Sequence, residues 1–316
     1  MANPGWWRVG PAARLTAAAV VSAVLAGVAY VIFVRTGLGQ RVDNAALAGS
    51  LHQLPQTRME DASLLRRISA DSFALVLVVI AVIGLLRRRP RLGIGVAVAA
   101  GVAVIVTDLL KSDILTRPFL STTDGLLPVN SFPSGHTATA IACALALVVV
   151  TPPRWRGLAA VVAGTYAWLI AAWVQTAGWH RLSDAIGAAF IAFSAVALIA
   201  ALVAVWRPVG TVSSARQWPA QLVLGLIWLG AVGYFGWYAA KVLHFLSVHS
   251  DATALTPAVQ NDAYQISLSL TVAIVVSLLM ALLALLGRCD LDQPRPLRIR
   301  RGAPAPLIAS RGSGGD

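Results

Sequence analysis

Long apolar stretches, separated by short polar connections, dominate the pattern of hydrophobic and polar positions along this chain. Eight stretches have about the 17–25 residues that a helix needs to cross the hydrocarbon core of a membrane. They lie near residues 15–34, 70–86, 92–110, 137–153, 158–178, 185–206, 220–242 and 265–287. The pattern therefore predicts an all-α fold, a polytopic membrane helix bundle with about eight transmembrane helices.

The composition agrees with this prediction and narrows the choice of partners. Of the 316 residues, 58% are hydrophobic and only 12% are charged, and the mean hydropathy is +0.75. An ordinary soluble domain needs a more highly charged surface, so that class is excluded. The net charge of +12 does not indicate nucleic acid, because the arginines collect between apolar stretches and near the C-terminal end. The membrane is the expected partner, and no nucleic-acid partner is expected.

Arginines mark alternate connections, and the positive-inside rule assigns such connections to the cytoplasm. They are Arg8 and Arg14, Arg87 to Arg89 with Arg91, Arg154 and Arg156, Arg207 and Arg216, and the cluster from Arg288 onward. This distribution predicts a multi-pass protein of the cell membrane with both termini in the cytoplasm. The connection after the first stretch mixes arginines with acidic residues, and we expect it to form an amphipathic segment on the outer surface.

Three clusters of polar residues interrupt the apolar pattern, each in a connection that the arginines assign to the outside. The clusters run from Lys111 to Pro118, from Pro133 to His136 and from Gly178 to Asp184. Because successive helices cross the membrane in opposite directions, all three clusters fall on the same face. We therefore expect them to form one extracytoplasmic site.

The first two clusters contain groups suited to a phosphate. Lys111 and Arg117 supply positive charge, and a guanidinium can bind two phosphate oxygens at once. We expect Asp108 to form a supporting salt bridge to Lys111. The turn at Ser134 and Gly135 leads into a helix whose first N–H groups can hold an anion, and the serine adds a hydroxyl donor.

The clusters also contain two histidines. His180 and Asp184 lie four residues apart, on one helical face if the helix extends that far, so the carboxylate can orient the imidazole ring. His136 is then a second acid–base group across the site. The sequence has no carboxylate cluster suited to a metal ion.

These clusters resemble the motifs of the type 2 phosphatidic acid phosphatase (PAP2) family, which also includes vanadium haloperoxidases and acid phosphatases. The family's first motif, a Lys, six residues and then Arg-Pro, is expected to correspond to the segment from Lys111 to Pro118. Its second motif, Pro-Ser-Gly-His, is present from Pro133 to His136. The resemblance covers roughly residues 70–206.

The third motif departs from the family pattern of Ser-Arg, five residues, His, three residues, Asp. Its second half is present as His180 and Asp184, but Trp173 and Val174 stand where Ser and Arg are expected. Arg181 is the candidate to replace the missing cation, although a neighbouring helical position points about 100° away. Without such a replacement, a slow or inactive member is expected.

The resemblance implies a six-helix membrane core over residues 1–206. Residues 207–287 then form two additional transmembrane helices, which either cap the site or form the surface of a homo-oligomer. The composition of residues 288–316, rich in Pro, Arg, Gly and Ser, predicts a basic, disordered cytoplasmic tail.

The resemblance also implies roles for the site residues. His180 attacks phosphorus to form a phosphohistidine, Asp184 orients it, and His136 protonates the leaving oxygen. The charge of the transferring group is neutralised by Lys111, Arg117, Ser134, Gly135 and, as the replacement, Arg181. No metal and no cofactor are expected in this scheme.

The implied substrate is a lipid phosphate, either a polyprenyl or a phospholipid phosphomonoester or pyrophosphate. Two alternatives stay open at this point. One is a lipid phosphotransferase of the same fold, which passes the phosphoryl group to an alcohol. The other is a catalytically silent member that binds or transports lipids.

Overall fold

The computed structural model describes residues 10–120, 130–207, 209–211, 218–248, 255–287 and 289–292. Within these ranges the chain is almost entirely helical, and the predicted all-α bundle is confirmed. The α-helices are α1 (Pro11–Ala29), α2 (Gly37–Leu51), α3 (Pro55–Arg66), α4 (Ala70–Leu86), α5 (Pro90–Leu109), α6 (Gly135–Val150), α7 (Arg156–Thr176), α8 (Leu182–Trp206), α9 (Trp218–Val248) and α10 (Pro257–Leu286).

Short elements extend some of these helices. α1 continues into a π-helical turn, Tyr30–Val34, and α5 into another, Leu110–Ile114. A 3₁₀ turn, Pro153–Trp155, precedes α7. Two short strands, β1 (Gly210–Thr211) and β2 (Cys289–Asp290), pair antiparallel.

Six of the described helices are long and apolar enough to cross a membrane, namely α1 and α5 with their π-helical turns, α7, α8, α9 and α10. Helices α3 and α4 pass the same test only as a pair, and they are bent by 58° relative to each other. α6 is apolar but has 16 residues, fewer than the ~20 that span a bilayer without tilt or thinning. The chain is thus a multi-pass bundle, while the predicted count of eight spans is not confirmed.

Helix α8 lies at the centre of the bundle, packed against α1, α5 and α6. Its buried face is rich in alanine, and small residues let helix backbones approach closely in membranes. Gly187 shows how close this packing is, because an added Cβ would lie 2.3 Å from the ring of Phe132. This contact seats Phe132, and with it the following Pro133–His136 turn, against α8.

Helix α10 braces the end of α7 that leads into the third polar cluster. Nε2 of Gln175 donates to the hydroxyl of Thr271 at 3.0 Å, and the hydroxyls of Thr176 and Tyr264 lie 2.7 Å apart. Since these groups are buried, their mutual hydrogen bonds offset the cost of removing them from water.

At the other end of the bundle, the residues after α10 are tied to arginines from several connections. Arg89 and Arg207 form ion pairs of 2.6 Å with Asp290 and Asp292, and Arg156 donates to the carbonyl of Cys289 at 2.7 Å. Residues 289–292, which the sequence assigned to a disordered tail, are therefore ordered against the bundle. Residues 288 and 293–316 lie outside the described residues.

Helix α2 corrects the expectation of an amphipathic segment lying on the outer surface. Its polar residues Gln40, Asp43 and Asn44 are at most 1% exposed, whereas the apolar Leu38 is 74% exposed. The polar face is buried because it pairs with backbone and charged groups of the motif loops. Leu38 and Val42 are the exposed large apolar side chains of α2.

Candidate active site

Direct hydrogen bonds join the three polar clusters at one end of the bundle. Nδ2 of Asn130 donates to the carbonyls of Lys111 and Leu115 at 3.1 and 2.9 Å, which ties the first cluster to the loop before the second. The backbone N–H of Ser134 donates to the carbonyl of Asp184 at 3.0 Å. The structure thus brings together segments that lie about 70 residues apart in sequence.

The third cluster begins with a tight turn between α7 and α8. Gly178 adopts a φ of 74°, in the left-handed region that glycine tolerates. The carbonyl of Val174 accepts hydrogen bonds from the N–H groups of Trp179 and His180 at 3.0 and 3.2 Å. These bonds present His180 just before α8 begins.

His180 and Asp184 form the pair that their spacing predicts. Nδ1 of His180 lies 3.1 Å from Oδ2 of Asp184, and the same oxygen accepts the backbone N–H of Arg181 at 2.8 Å. The carboxylate is completely buried and the imidazole is mostly buried. Because Asp184 holds Nδ1, the opposite nitrogen of His180, Nε2, is directed away from the carboxylate.

His136 lies in the first turn of α6, with its ring centroid 5.7 Å from that of Trp179. It is half-buried and close enough to His180 and Lys111 to feel their charges. His136 also lines a cavity of about 530 Å³ between α4, α6 and α7, whose walls are otherwise largely apolar. The second histidine therefore borders both the polar cluster and an apolar groove.

The Pro-Ser-Gly-His turn caps α6. The Ser134 hydroxyl oxygen accepts the N–H of Thr137 at 3.4 Å, which leaves its proton available for donation. A Cβ added to Gly135 would meet nothing within 4 Å. The helix terminus, which carries partial positive charge, therefore faces open space at this position.

Lys111 and Arg117 differ in their surroundings. Lys111 is partly exposed and pairs with Asp108 at 3.5 Å, so the expected salt bridge is confirmed. Arg117 is almost fully buried, and its Nη1 lies 3.4 Å from Oδ2 of Asp43. The spacing of the first motif is imperfect, since five residues separate Lys111 from Arg117 where the family pattern has six.

One edge of the Arg117 guanidinium is unused. Its Nε and Nη2 atoms are buried and have no hydrogen-bond partner among the described residues. Buried donors are nearly always paired in proteins, so two adjacent unpaired donors require an explanation. Together Nε and Nη2 form the fork with which arginine binds two oxygens of one oxyanion.

Asp43 of α2 is a site residue that the sequence did not reveal. It accepts the backbone N–H of Ser183 at 3.0 Å as well as the Ser183 hydroxyl, in addition to its contact with Arg117. Burial, and after it the nearby charge of Asp184, raises the pKa of Asp43 to about 6, although the bonds from Ser183 and Arg117 act in the opposite direction. The signal in the sequence is a polar stripe, Gln40, Asp43 and Asn44, at helical spacing.

Arg181 occupies a different place from the one its sequence position suggested. It has extended backbone geometry just before α8, not a helical one, and its guanidinium is buried. Nε donates to Asn44 at 2.9 Å and Nη1 to the Ser131 hydroxyl at 3.1 Å. Val174, at the position of the family's arginine, is fully buried in the apolar core.

No group of three or more His, Cys, Asp or Glu side chains in the described parts of the chain is arranged to hold a metal ion. The charged groups that surround the site are instead lysine, arginine and histidine, balanced by two buried carboxylates. This arrangement is chemically suited to an oxyanion such as a phosphate group.

Comparison with known proteins gives one match. Residues 91–208 match the family model of the PAP2 superfamily, whereas no curated protein and no solved structure matched the chain. The matched segment runs from α5 to the end of α8 and contains all three polar clusters. This membrane-helical chain is therefore similar to the PAP2 superfamily over residues 91–208, and the match supports a function of the phosphatase type.

Proposed function

We propose that this protein hydrolyses a lipid phosphate ester or pyrophosphate at the outer face of the membrane, with His180 as the nucleophile. The observation that carries the proposal is the 3.1 Å contact between His180 Nδ1 and Asp184 Oδ2. A carboxylate in this position fixes the ring orientation, keeps the proton on Nδ1 and stabilises positive charge on the imidazole. Nε2 is then the atom available to attack phosphorus.

The reaction proceeds in two displacements. First, Nε2 of His180 forms a bond to phosphorus while the bond to the ester oxygen breaks, and His136 gives its proton to that oxygen. Next, water attacks the phosphohistidine and transfers a proton to His136. The phosphorus–nitrogen bond breaks, inorganic phosphate leaves, and both histidines return to their starting states.

The cations and the helix terminus neutralise the charge of the transferring group. We assign this role to Lys111, Arg117, Ser134, Gly135 and Arg181, with Arg181 supplying the cation that position 174 lacks. Each preorganised donor of this kind is worth on the order of 3 kcal/mol in the transition state. The unpaired Nε and Nη2 atoms of Arg117 support this assignment most strongly.

The apolar cavity beside His136 supports a lipid substrate over a water-soluble one. A phosphate group placed between the two histidines has its leaving group on the His136 side, where the cavity opens between α4, α6 and α7. A hydrocarbon chain lying there stays out of contact with water when the substrate moves in from the bilayer.

The distribution of arginines supports an extracytoplasmic location for the site. Arg14, Arg87, Arg89, Arg156 and Arg207 gather around residues 289–292 at the end opposite the polar clusters. By the positive-inside rule this end is cytoplasmic. A cysteine replacing the exposed Leu54 should then react with an impermeant thiol reagent in intact cells, and one replacing Trp155 should not. The reverse result would put the site in the cytoplasm.

The reaction is tested by offering purified protein in detergent a panel of phospholipid and polyprenyl phosphates, with a soluble aryl phosphate for comparison. We expect phosphate release from a lipid with water as the sole acceptor. His180→Ala should abolish it, and the control His52→Ala, which removes a histidine bonded to Gln260 away from the site, should not.

Product that forms only with an added alcohol indicates a phosphotransferase. Saturable lipid binding without product indicates a silent member.

A further inference from the structure

The two arginines of the site are held by a helix that lies outside the residues matched to the family. Gln40, Asp43 and Asn44 of α2 lie three and four positions apart, on one helical face. All three side chains are buried. Their hydrogen bonds reach the motif-bearing segments and the turn that precedes α2.

Asp43 connects Arg117 to the start of α8. Its carboxylate contacts Nη1 of Arg117 and accepts two hydrogen bonds from Ser183. By engaging Nη1 alone, Asp43 leaves the Nε and Nη2 edge of the guanidinium unpaired. The carboxylate therefore orients the arginine without using the fork that binds an oxyanion.

Gln40 and Asn44 act on either side of Asp43. Gln40 Nε2 donates to the carbonyl of Pro118 at 2.6 Å, and its Oε1 accepts the N–H of Leu120 at 3.1 Å, so the backbone after Arg117 is clamped. Asn44 Oδ1 accepts from Nε of Arg181 at 2.9 Å. Each arginine is thus fixed by a different α2 residue.

We propose that the polar face of α2 is a part of the phosphate-binding site, in which Asp43 and Gln40 position Arg117 and Asn44 positions Arg181. This inference rests on the proposed function of the same site. The α2 residues are positioning residues, since Asp43 and Asn44 act through the two guanidinium groups and Gln40 acts through the backbone after Arg117. Their effect is to hold flexible side chains in the binding geometry before the phosphate arrives, which lowers the entropic cost of binding it.

A double-mutant cycle distinguishes positioning from a general structural role. Arg117→Ala should lower kcat/KM by about 10²–10³, and Asp43→Asn by about tenfold, because the guanidinium keeps its charge but loses its orientation. If Asp43 acts through Arg117, the double variant should match Arg117→Ala within about twofold. The proposal would be overturned if the losses of the two single variants multiply in the double variant. It would also be overturned if Asp43→Asn leaves kcat/KM unchanged.

Controls separate this outcome from misfolding. Val42→Ala alters the neighbouring exposed position of α2 and should leave kcat/KM unchanged. If Asp43→Asn does not yield folded protein, Ser183→Ala takes its place in the cycle, because it removes the hydroxyl bond to Asp43 and retains the charge. A loss for Ser183→Ala that persists in the Arg117→Ala background contradicts the proposal.

The same double-mutant cycle can be measured with the Kd of each variant for orthovanadate, a phosphate analogue. This measurement reports binding without turnover. Wild-type protein that binds vanadate but releases no phosphate contradicts the proposed reaction, while the cycle still decides the role of α2. Wild-type protein that neither binds vanadate nor turns over contradicts both proposals.

Discussion

Asp184 holds His180 through a single carboxylate oxygen, which lies 3.1 Å from Nδ1 of the ring and also accepts the N–H of the next residue at 2.8 Å. The geometry restrains the ring and places a negative charge against it inside the bundle. In the reaction that we propose, this pair raises the nucleophilicity of Nε2 and stabilises the imidazolium that forms on phosphoryl transfer.

Removing the negative charge of Asp184 should therefore impair catalysis more than folding. For Asp184→Asn we expect kcat to fall by about 10²–10⁴, because an amide cannot stabilise the charged ring. Steady-state kinetics on the best lipid substrate, with a thermal unfolding curve for each protein, measures both effects. A kcat within tenfold of wild type in a folded variant would remove Asp184 from the mechanism.

Replacing two glycines near the second motif with alanine should affect different properties of the protein. At Gly135 an added methyl group meets no neighbour, so Gly135→Ala should fold normally. It should lower kcat/KM by about tenfold, because the methyl group occupies space beside the helix terminus that we propose binds the anion. At Gly187 the methyl group collides with Phe132, so Gly187→Ala should lower the thermal stability. Unfolding temperatures and kcat/KM measured on both variants test the contrast. Full activity of Gly135→Ala would argue against an anion at this terminus.

Restoring the family's arginine at position 174 should not help. Val174 is fully buried in the apolar core, and an unpaired guanidinium there costs on the order of several kcal/mol. We expect Val174→Arg to give little folded protein and no gain in kcat/KM, whereas the apolar control Val174→Ile should fold. The yield of monodisperse protein and its activity are the readouts. A folded, more active Val174→Arg would show that the site does need a cation from this position.

The raised pKa of Asp43 gives a pH test of α2. Burial, followed by the charge of Asp184, raises this pKa to about 6, with Ser183 and Arg117 acting in the opposite sense. A unit or more below that value the protonated carboxyl resembles asparagine, so wild type and Asp43→Asn should have similar kcat/KM. Above this pKa Asp43 is ionised, and the kcat/KM of wild type should rise to about ten times that of Asp43→Asn. Other titrating groups affect both proteins alike and therefore cancel in this ratio. A ratio that is constant across this range would exclude a role for the Asp43 charge.

The sequence was most informative where the chemistry depends on short spacing. The His180–Asp184 contact follows from a four-residue separation at a helix start, and the Asp108–Lys111 ion pair from a three-residue one. The apolar stretches predicted the bundle, because a membrane imposes a length on its helices.

The role of α2 could not be predicted in the same way. Asp43 meets Arg117 across 74 residues and Asn44 meets Arg181 across 137, and no local pattern encodes such contacts. The polar stripe on α2 was visible, but polar residues usually face water. Only its packing shows that this stripe faces inward while Leu38 faces outward.

The central claim is a covalent phosphate on His180, and a single-turnover reaction with a lipid substrate labelled in its phosphate tests it most directly. The reaction is quenched with alkali, and the labelled peptide is located by mass spectrometry. We predict a transient adduct on the peptide that contains His180, absent from His180→Ala and longer-lived in His136→Ala, where water is not activated. Rapid phosphate release by wild-type protein without any labelled histidine, or labelling that persists in His180→Ala, would contradict this account.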